Sequence, residues 1–233
     1  MTPLRQRMLD ALELRGMAGH TRKAYIDAVA RLARHYKRSP DQLSAYEVRA
    51  YLLHLLRERK LARASVNQYS CAYRFLYSTV LGLDGQTFQI PLGPAPQRLP
   101  EILSRAELVR LFGAARHEMS RTYLMVAYGT GLRLSELCAL QVGDIDSAAD
   151  RRCIHVREGK GAKDRYVPLA DDVLETLRHW WRCAKPRTWL FTMPSDSSRP
   201  LPPMNPQRWY RAACAHAGIT KRGGIHTLRH CYA

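Results

Sequence analysis

A segment rich in glycine and proline between residues 82 and 100 constrains the fold more than any other feature of this sequence. It contains Gly82, Gly85, Pro91, Gly93, Pro94, Pro96 and Pro100. Proline fixes its own φ and keeps the residue before it out of the helical region, so a regular helix is not expected here. We therefore predict two folded parts, residues 1–83 and residues 101–233, joined by a linker at residues 84–100.

The first 80 residues carry apolar side chains at helical spacing. Ser44 and Glu47 form a capping box at the start of one predicted helix, and Thr21 is expected to cap another. A further helix is predicted over residues 65–80. Four helices joined by short connections predict a small all-α bundle.

The second part combines helices with a short hairpin. Ser104 and Glu107 repeat the capping box, whereas Ile154 and Val156 alternate with polar residues, as in a half-buried strand. A returning strand is expected over residues 167–169, after a turn at residues 158–164. This part is therefore predicted to be mainly α, with a small antiparallel β-sheet.

The net charge is strongly positive, at +17, from 37 Lys and Arg against 20 Asp and Glu. A disordered polycation is excluded, because only 24% of residues are charged and 46% are hydrophobic. Residues 1–98 carry +9 and residues 99–233 carry +8. This distribution favours two bodies that grip a polyanion. The alternative is a basic surface that reflects genome composition, since Arg outnumbers Lys.

Cysteine spacing and hydropathy exclude several other classes. The six cysteines are scattered, without a C-x-x-C pair or a zinc-like Cys/His spacing, so reduced thiols and no metal site are expected. No apolar run approaches the ~18 residues of a spanning helix, and the first turns resemble no signal peptide. We expect a cytoplasmic protein that makes no membrane contact.

Two segments place a cation beside glycines. Residues 130–137 read T-G-L-R-L-S-E-L, in which Arg133 follows small residues that would let a ligand approach the backbone. Residues 159–169 read G-K-G-A-K-D-R-Y-V-P-L, which puts Lys160 at the predicted hairpin tip.

A third segment, residues 226–230, reads H-T-L-R-H. His226, Arg229 and His230 stand at i, i+3 and i+4, so they share one face of a helix. The preceding Gly223 and Gly224 are expected to leave the amides at the start of that helix free for an anion.

Two guanidinium groups, one ammonium and one imidazole around one phosphate would suit metal-free phosphoryl transfer. Arginine forks hold the non-bridging oxygens and offset the charge of the transition state. A lysine can protonate the leaving 5′ oxygen, and a histidine can shuttle a proton at neutral pH. Taken singly, each of these residues has an ordinary structural explanation, such as a surface arginine or a turn lysine.

The three segments, in this order and at this spacing, resemble the boxes of the tyrosine recombinase (phage integrase) family. The resemblance implies that Arg133 and Arg229 are the two catalytic arginines, Lys160 the hairpin lysine and His226 the box histidine. It gives His230 a supporting place. Glu136 matches the acidic position after the first arginine, where it either orients active-site groups or forms a structural ion pair.

The resemblance also implies the architecture and the partners. The first part would be a SAM-like four-helix core-binding domain that binds double-stranded DNA, and the second would be the catalytic domain. The reaction would be site-specific strand cleavage and rejoining through a 3′-phosphotyrosine, without metal or other cofactor, by a homo-oligomer assembled on DNA.

One departure from the family pattern affects the expected activity. The family's nucleophilic tyrosine lies several helical turns beyond the H-x-x-R box, and no matching tyrosine is present here. Tyr232 stands three residues after Arg229, where the family has an ordinary core residue. We therefore expect a catalytic domain truncated before its last box, with no nucleophile of its own and an exposed apolar patch around Leu228 and the last helix.

Two alternatives remain at the level of sequence. The chain could be a catalytically inactive DNA-binding fragment or a competitor of full-length recombinase. It could also be a small basic protein that binds RNA or DNA without specificity, the box matches being accidental.

Candidate DNA-binding residues lie in the first part, where the alternative is a solvated polar face. They are Arg31, Arg34 and Arg38 on the second helix, with Arg63 and Asn67 near the start of the fourth. Three tyrosines at i, i+4 and i+8 of the fourth helix are interpreted as bundle core, and these are Tyr69, Tyr73 and Tyr77.

Overall fold

The computed structural model describes residues 2–83, 88–94, 99–157 and 163–232. The chain divides into two compact units, Met1–Arg98 and Leu99–Ala233, each with its own hydrophobic core. Within the described ranges, no helix is both long enough and apolar enough to cross a membrane.

Every regular element described in the first unit is a helix. Its helices are α1 (Pro3–Leu14), α2 (Gly19–Tyr36), α3 (Ala45–Arg57) and α4 (Arg63–Arg74), with a 3-10 turn at Pro40–Gln42 and a π-helical extension of α4 at Phe75–Val80. Apolar side chains at helical spacing form its core, and Leu12, Leu32 and Leu76 are fully buried. The predicted four-helix domain is confirmed.

Two of the three tyrosines on α4 and its extension lie in the core, as predicted. Tyr73 donates a hydrogen bond to the Ala28 carbonyl (3.2 Å), and Tyr77 donates to the Pro40 carbonyl (2.7 Å). Each buried hydroxyl is thus paired, as burial of a polar group requires. Tyr69 is half-buried.

One capping prediction for this unit is confirmed and one is wrong. Ser44 and Glu47 form the predicted box, with hydrogen bonds of 3.3 Å and 2.8 Å. Thr21, by contrast, lies inside the first turn of α2, which already begins at Gly19. Gly16, with a left-handed φ of 62°, follows the end of α1, and α2 begins three residues later.

Residues 88–94, within the predicted linker, pack on the first unit. The Phe88 ring stacks on Tyr77 with 3.9 Å between centroids, and Arg74 donates to the Ile90 carbonyl at 2.7 Å. Asn67 donates to the Gly93 carbonyl (2.7 Å) and accepts from the Gly93 amide (3.1 Å). These contacts fix the segment along α4.

Over its described residues the second unit is mainly helical with a small sheet, as predicted. Its elements are α5 (Arg105–Gly113), α6 (Glu118–Thr130), α7 (Leu134–Cys138), a 3-10 turn (Val142–Asp144), β1 (Ile145–Asp146), β2 (Cys153–Val156), β3 (Arg165–Pro168), α8 (Asp171–Ala184), α9 (Met204–His216) and α10 (His226–Tyr232). The predicted box at Ser104 and Glu107 caps α5.

The sheet is antiparallel, with strand order β1-β2-β3. Ile154 pairs with Val167, and the inward side chains Ile154 and Val156 are buried as their alternation predicted. Strand β1 was not predicted, because two residues are too few to show a period.

The last helix is packed into the core of the second unit. Leu228 is fully buried among side chains that include those of α6, so the predicted exposed apolar patch around Leu228 is wrong. The helix turns its leucine inward and leaves Tyr232 half-exposed.

We predict that Asn67→Ala releases residues 88–94 from α4. Both half-buried side-chain hydrogen bonds to Gly93 would be lost, and an intramolecular hydrogen bond contributes about 1 kcal/mol. Exchange of the Gly93 amide, followed by hydrogen–deuterium mass spectrometry, should accelerate about tenfold or more. The exposed neighbour Gln68→Ala is the control and should leave exchange unchanged; equal effects of the two substitutions would contradict the prediction.

Candidate active site

The site is built on the turn between α6 and α7. Helix α6 ends where Gly131 takes a left-handed φ of 58°, a conformation that strains other residues. The chain is extended again at Arg133, which is the N-cap of α7 (φ −68°, ψ 150°). From this position the Arg133 guanidinium contacts Glu136.

The glycines of this turn serve internal packing. A Cβ at Gly131 would lie 2.5 Å from the Tyr232 ring, and one at Gly129 would collide with Val173. The expectation that these positions leave room for a ligand is therefore wrong, since protein side chains already occupy the space.

A buried carboxylate organises the cations around the turn. Only 6% of the Glu136 side chain is exposed. Its oxygens accept from the Arg133 amide (2.8 Å), from the Arg133 guanidinium (2.8 Å) and from two nitrogens of Arg165 (2.9 and 2.7 Å). Arg165 opens β3, so Glu136 connects the sheet to the start of α7.

Electrostatics keep this carboxylate ionised. Burial by itself raises the pKa of Glu136, but hydrogen bonds from Arg165 and Arg133 outweigh it and lower the pKa to about 2. The same interaction raises the pKa of Arg165. Glu136 and Arg165 are therefore both charged at neutral pH.

Helix α10 brings the second arginine to the same turn. The Arg229 guanidinium donates to the Gly131 carbonyl, two residues before Arg133. His226 and His230 are exposed on the same short helix. The amides of Thr227 and Leu228 donate to the carbonyls of residues 224 and 225, so the expectation of free amides there is wrong for these two.

The remaining predicted residue, Lys160, lies outside the described residues, which resume at residue 163. Described residues next to the segment 158–162 form ion pairs with aspartates. Arg157 lies 2.6 Å from Asp144, and His155 lies 3.1 Å from Asp164. Among the described residues, no three His, Cys, Asp or Glu side chains lie together in a way that could hold a metal ion.

Sequence reasoning missed Arg165. The signal was present, because Arg165 stands in the same motif as Lys160 and starts the returning strand. Its importance depends on Glu136, 29 residues earlier, and no local pattern connects the two.

The candidate DNA-binding residues of the first unit have different environments. Arg31 and Arg34 are exposed on α2, and Arg63 is exposed at the start of α4. Arg38 lies beyond the end of α2 and pairs with Glu47. Asn67 uses its amide on Gly93, so it is not free to read a base edge in this structure.

Comparison with known proteins identifies the family. Residues 101–233 match the Phage integrase family, and residues 4–87 match the Phage integrase N-terminal SAM-like domain. The chain belongs to the phage integrase family.

Individual relatives agree with this assignment. The protein y4qK of Sinorhizobium fredii, named as an integrase/recombinase, is 38% identical over 239 residues, which cover all of this chain and 75% of the relative. An integrase/recombinase of Escherichia coli is 32% identical over all of this chain and 82% of its own length. In fold, 98% of the chain matches 70% of a lambda integrase chain solved as a tetramer bound to a Holliday junction, with TM-score 0.80 and 19% identity.

We predict that Glu136→Gln removes a pH-dependent part of the stability. A carboxyl whose pKa is lowered stabilises the fold above its ordinary value of 4.5, and this stabilisation is lost as pH falls toward 2. Both arginines are about one-third exposed, so screening limits the effect to about 2 kcal/mol.

Urea unfolding at several pH values checks this prediction. The difference between the wild type and Glu136→Gln should be constant above pH of about 5 and shrink toward pH 3. Glu175→Gln, which removes an exposed carboxylate paired with Arg178, is the control. A difference that stays constant down to pH 3 would contradict the assignment.

Proposed function

We propose that this chain binds duplex DNA during site-specific recombination and holds one phosphodiester between Arg133 and Arg229. The observation that carries the proposal is that Arg133 and Arg229 meet at the turn after α6. They are 96 positions apart in sequence, and Arg229 contacts the carbonyl of Gly131 in that turn. Family membership and the fold support the same function.

The chemistry of the site suits transfer at phosphorus. Guanidinium groups that bind non-bridging oxygens stabilise the added charge of the pentacoordinate transition state. Glu136 keeps Arg133 oriented, and preorganised charge is more effective than a mobile side chain. In this proposal Lys160 protonates the leaving oxygen and His226 moves a proton, with His230 in a supporting place.

The nucleophile is proposed to lie outside residues 1–233. Tyr232 has a structural explanation, since its ring packs on the Gly131 backbone beside Arg229. A phosphotyrosine would then form only when a tyrosine is supplied from elsewhere, for example by an intact recombinase protomer bound to the same DNA. Residues 1–83 would act as the DNA-binding domain and residues 101–233 as the catalytic domain, in the cytoplasm.

A second function follows if no tyrosine is supplied. The chain would then be an inactive DNA-binding protein that competes with intact recombinases. The exposed cations Arg31, Arg34 and Arg63 favour binding in either case, because phosphate contacts do not require a nucleophile.

We predict that the chain forms no covalent adduct with DNA by itself. The purified protein would be incubated with nicked suicide duplexes and analysed by denaturing electrophoresis. An adduct that disappears in Tyr232→Phe would overturn the assignment of Tyr232, and an adduct that persists would place the nucleophile at another tyrosine of the chain.

We predict that Arg31→Ala/Arg34→Ala flattens the salt dependence of DNA affinity. Each lost phosphate contact should reduce the slope of log affinity against log salt by about 0.9, so the double variant should lose about 2. Arg38→Ala is the matched control, since Glu47 already neutralises that guanidinium. Fluorescence anisotropy with labelled duplexes measures the slope, and equal slopes in all three proteins would contradict DNA contact by α2.

A further inference from the structure

Arg165 contacts Glu136 from the sheet and is not one of the two arginines proposed to hold the phosphodiester. It stands at the first position of β3, and its side chain is 34% exposed. Two of its nitrogens contact both oxygens of Glu136, at 2.9 and 2.7 Å, which is the two-pronged geometry of a strong arginine–carboxylate pair.

The charges around Glu136 explain why a second arginine matters. A buried carboxylate bound to Arg133 alone would cancel the positive charge that a phosphate needs. With Arg165 present, two guanidinium groups face one carboxylate, so the cluster of Arg133, Glu136 and Arg165 keeps a net charge of +1.

The way in which Arg165 and Arg133 share the oxygens of Glu136 also keeps Arg133 available to a phosphate. Arg165 gives one hydrogen bond to each oxygen of Glu136, whereas the described contacts of Arg133 with Glu136 use one guanidinium hydrogen bond and the backbone amide. A guanidinium has five N–H donors. Sharing the carboxylate with Arg165 therefore holds Arg133 in place and leaves donors for an anion.

We propose that Arg165 is a positioning residue that offsets the negative charge of Glu136. Glu136 can then orient Arg133 without cancelling the positive charge with which Arg133 attracts a phosphate. This inference rests on the proposed function, because it assumes that Arg133 binds a phosphate. The inference predicts that loss of Arg165 weakens phosphate binding through the net charge of the cluster, in addition to any effect on the position of Arg133.

The structure offers a control arginine–carboxylate pair next to the neighbouring strand. Arg157, just after β2, lies 2.6 Å from Asp144, whose side chain is only 4% exposed. Like Glu136, Asp144 is a buried carboxylate that faces an arginine, but Arg157 is 53% exposed and makes a single ion-pair contact instead of two hydrogen bonds. Its carboxylate makes its described contacts with Arg157 and with the Gln141 amide rather than with Arg133.

The experiment titrates inorganic phosphate into the full chain and follows the amides of residues 131–137 by ¹H–¹⁵N NMR. Arg165→Gln should weaken phosphate binding at these amides about tenfold, the effect expected for one unit charge a few ångströms away near a protein surface. Arg157→Gln should change it by less than about twofold, since Asp144 does not hold Arg133.

Two further variants separate charge from folding. Glu136→Gln/Arg165→Gln restores the net charge of the cluster to +1, so its phosphate affinity should return to within about threefold of the wild type. Arg165→Lys keeps the charge and should also bind nearly as well as the wild type. A purely structural role for Arg165 predicts the opposite, because removing a second partner would not recover binding.

A second measurement is independent of phosphate. The Glu136 carboxyl, followed by ¹³C NMR, should titrate at higher pH in Arg165→Gln and at its wild-type position in Arg157→Gln. If Arg165→Gln binds phosphate like the wild type, or if the Glu136 titration does not move, the inference is wrong. If the wild type and Arg133→Ala respond to phosphate alike, the proposed function fails instead, and the carboxyl titration still decides whether Arg165 controls Glu136.

Discussion

A carboxylate shared by two guanidinium groups connects the parts of the candidate site. Glu136 joins the N-terminus of α7 to the start of β3, and only 6% of its side chain is exposed. A buried charge is costly unless it is paired and hydrogen-bonded. The burial of Glu136 therefore requires Arg133 and Arg165 to approach it, and that requirement fixes the position of the sheet relative to the turn after α6.

The second constraint is the close packing of α10 on Gly131. Arg229 donates to the Gly131 carbonyl, and the Tyr232 ring covers the Cα of the same glycine. The ring contact needs a residue without a side chain, and the left-handed φ of 58° at Gly131 favours glycine as well. Gly131 thus ends α6, lies two residues before Arg133 and is the contact point of α10, which carries Arg229.

Much of the fold was predictable because its signals are local. The boxes at Ser44 and Ser104 join residues three apart, and the alternation at Ile154 and Val156 reports burial directly. The start of α2 was misplaced, because a capping-type residue such as Thr21 is also tolerated within a first turn. The role of Asn67 was missed as well, since its partner Gly93 is 26 residues away.

The sequence by itself determined the family, and it determined that an all-α part is followed by a mainly α part with a small sheet. It also identified the arginines that stand in the motifs. It also marked the basic character of both parts, because charge is a property of composition. Only the tertiary structure decided that Leu228 is buried, that Asn67 holds Gly93 and that Arg165 shares Glu136 with Arg133. The physical reason is that these contacts join residues far apart in the chain, so they exist only after the elements have packed.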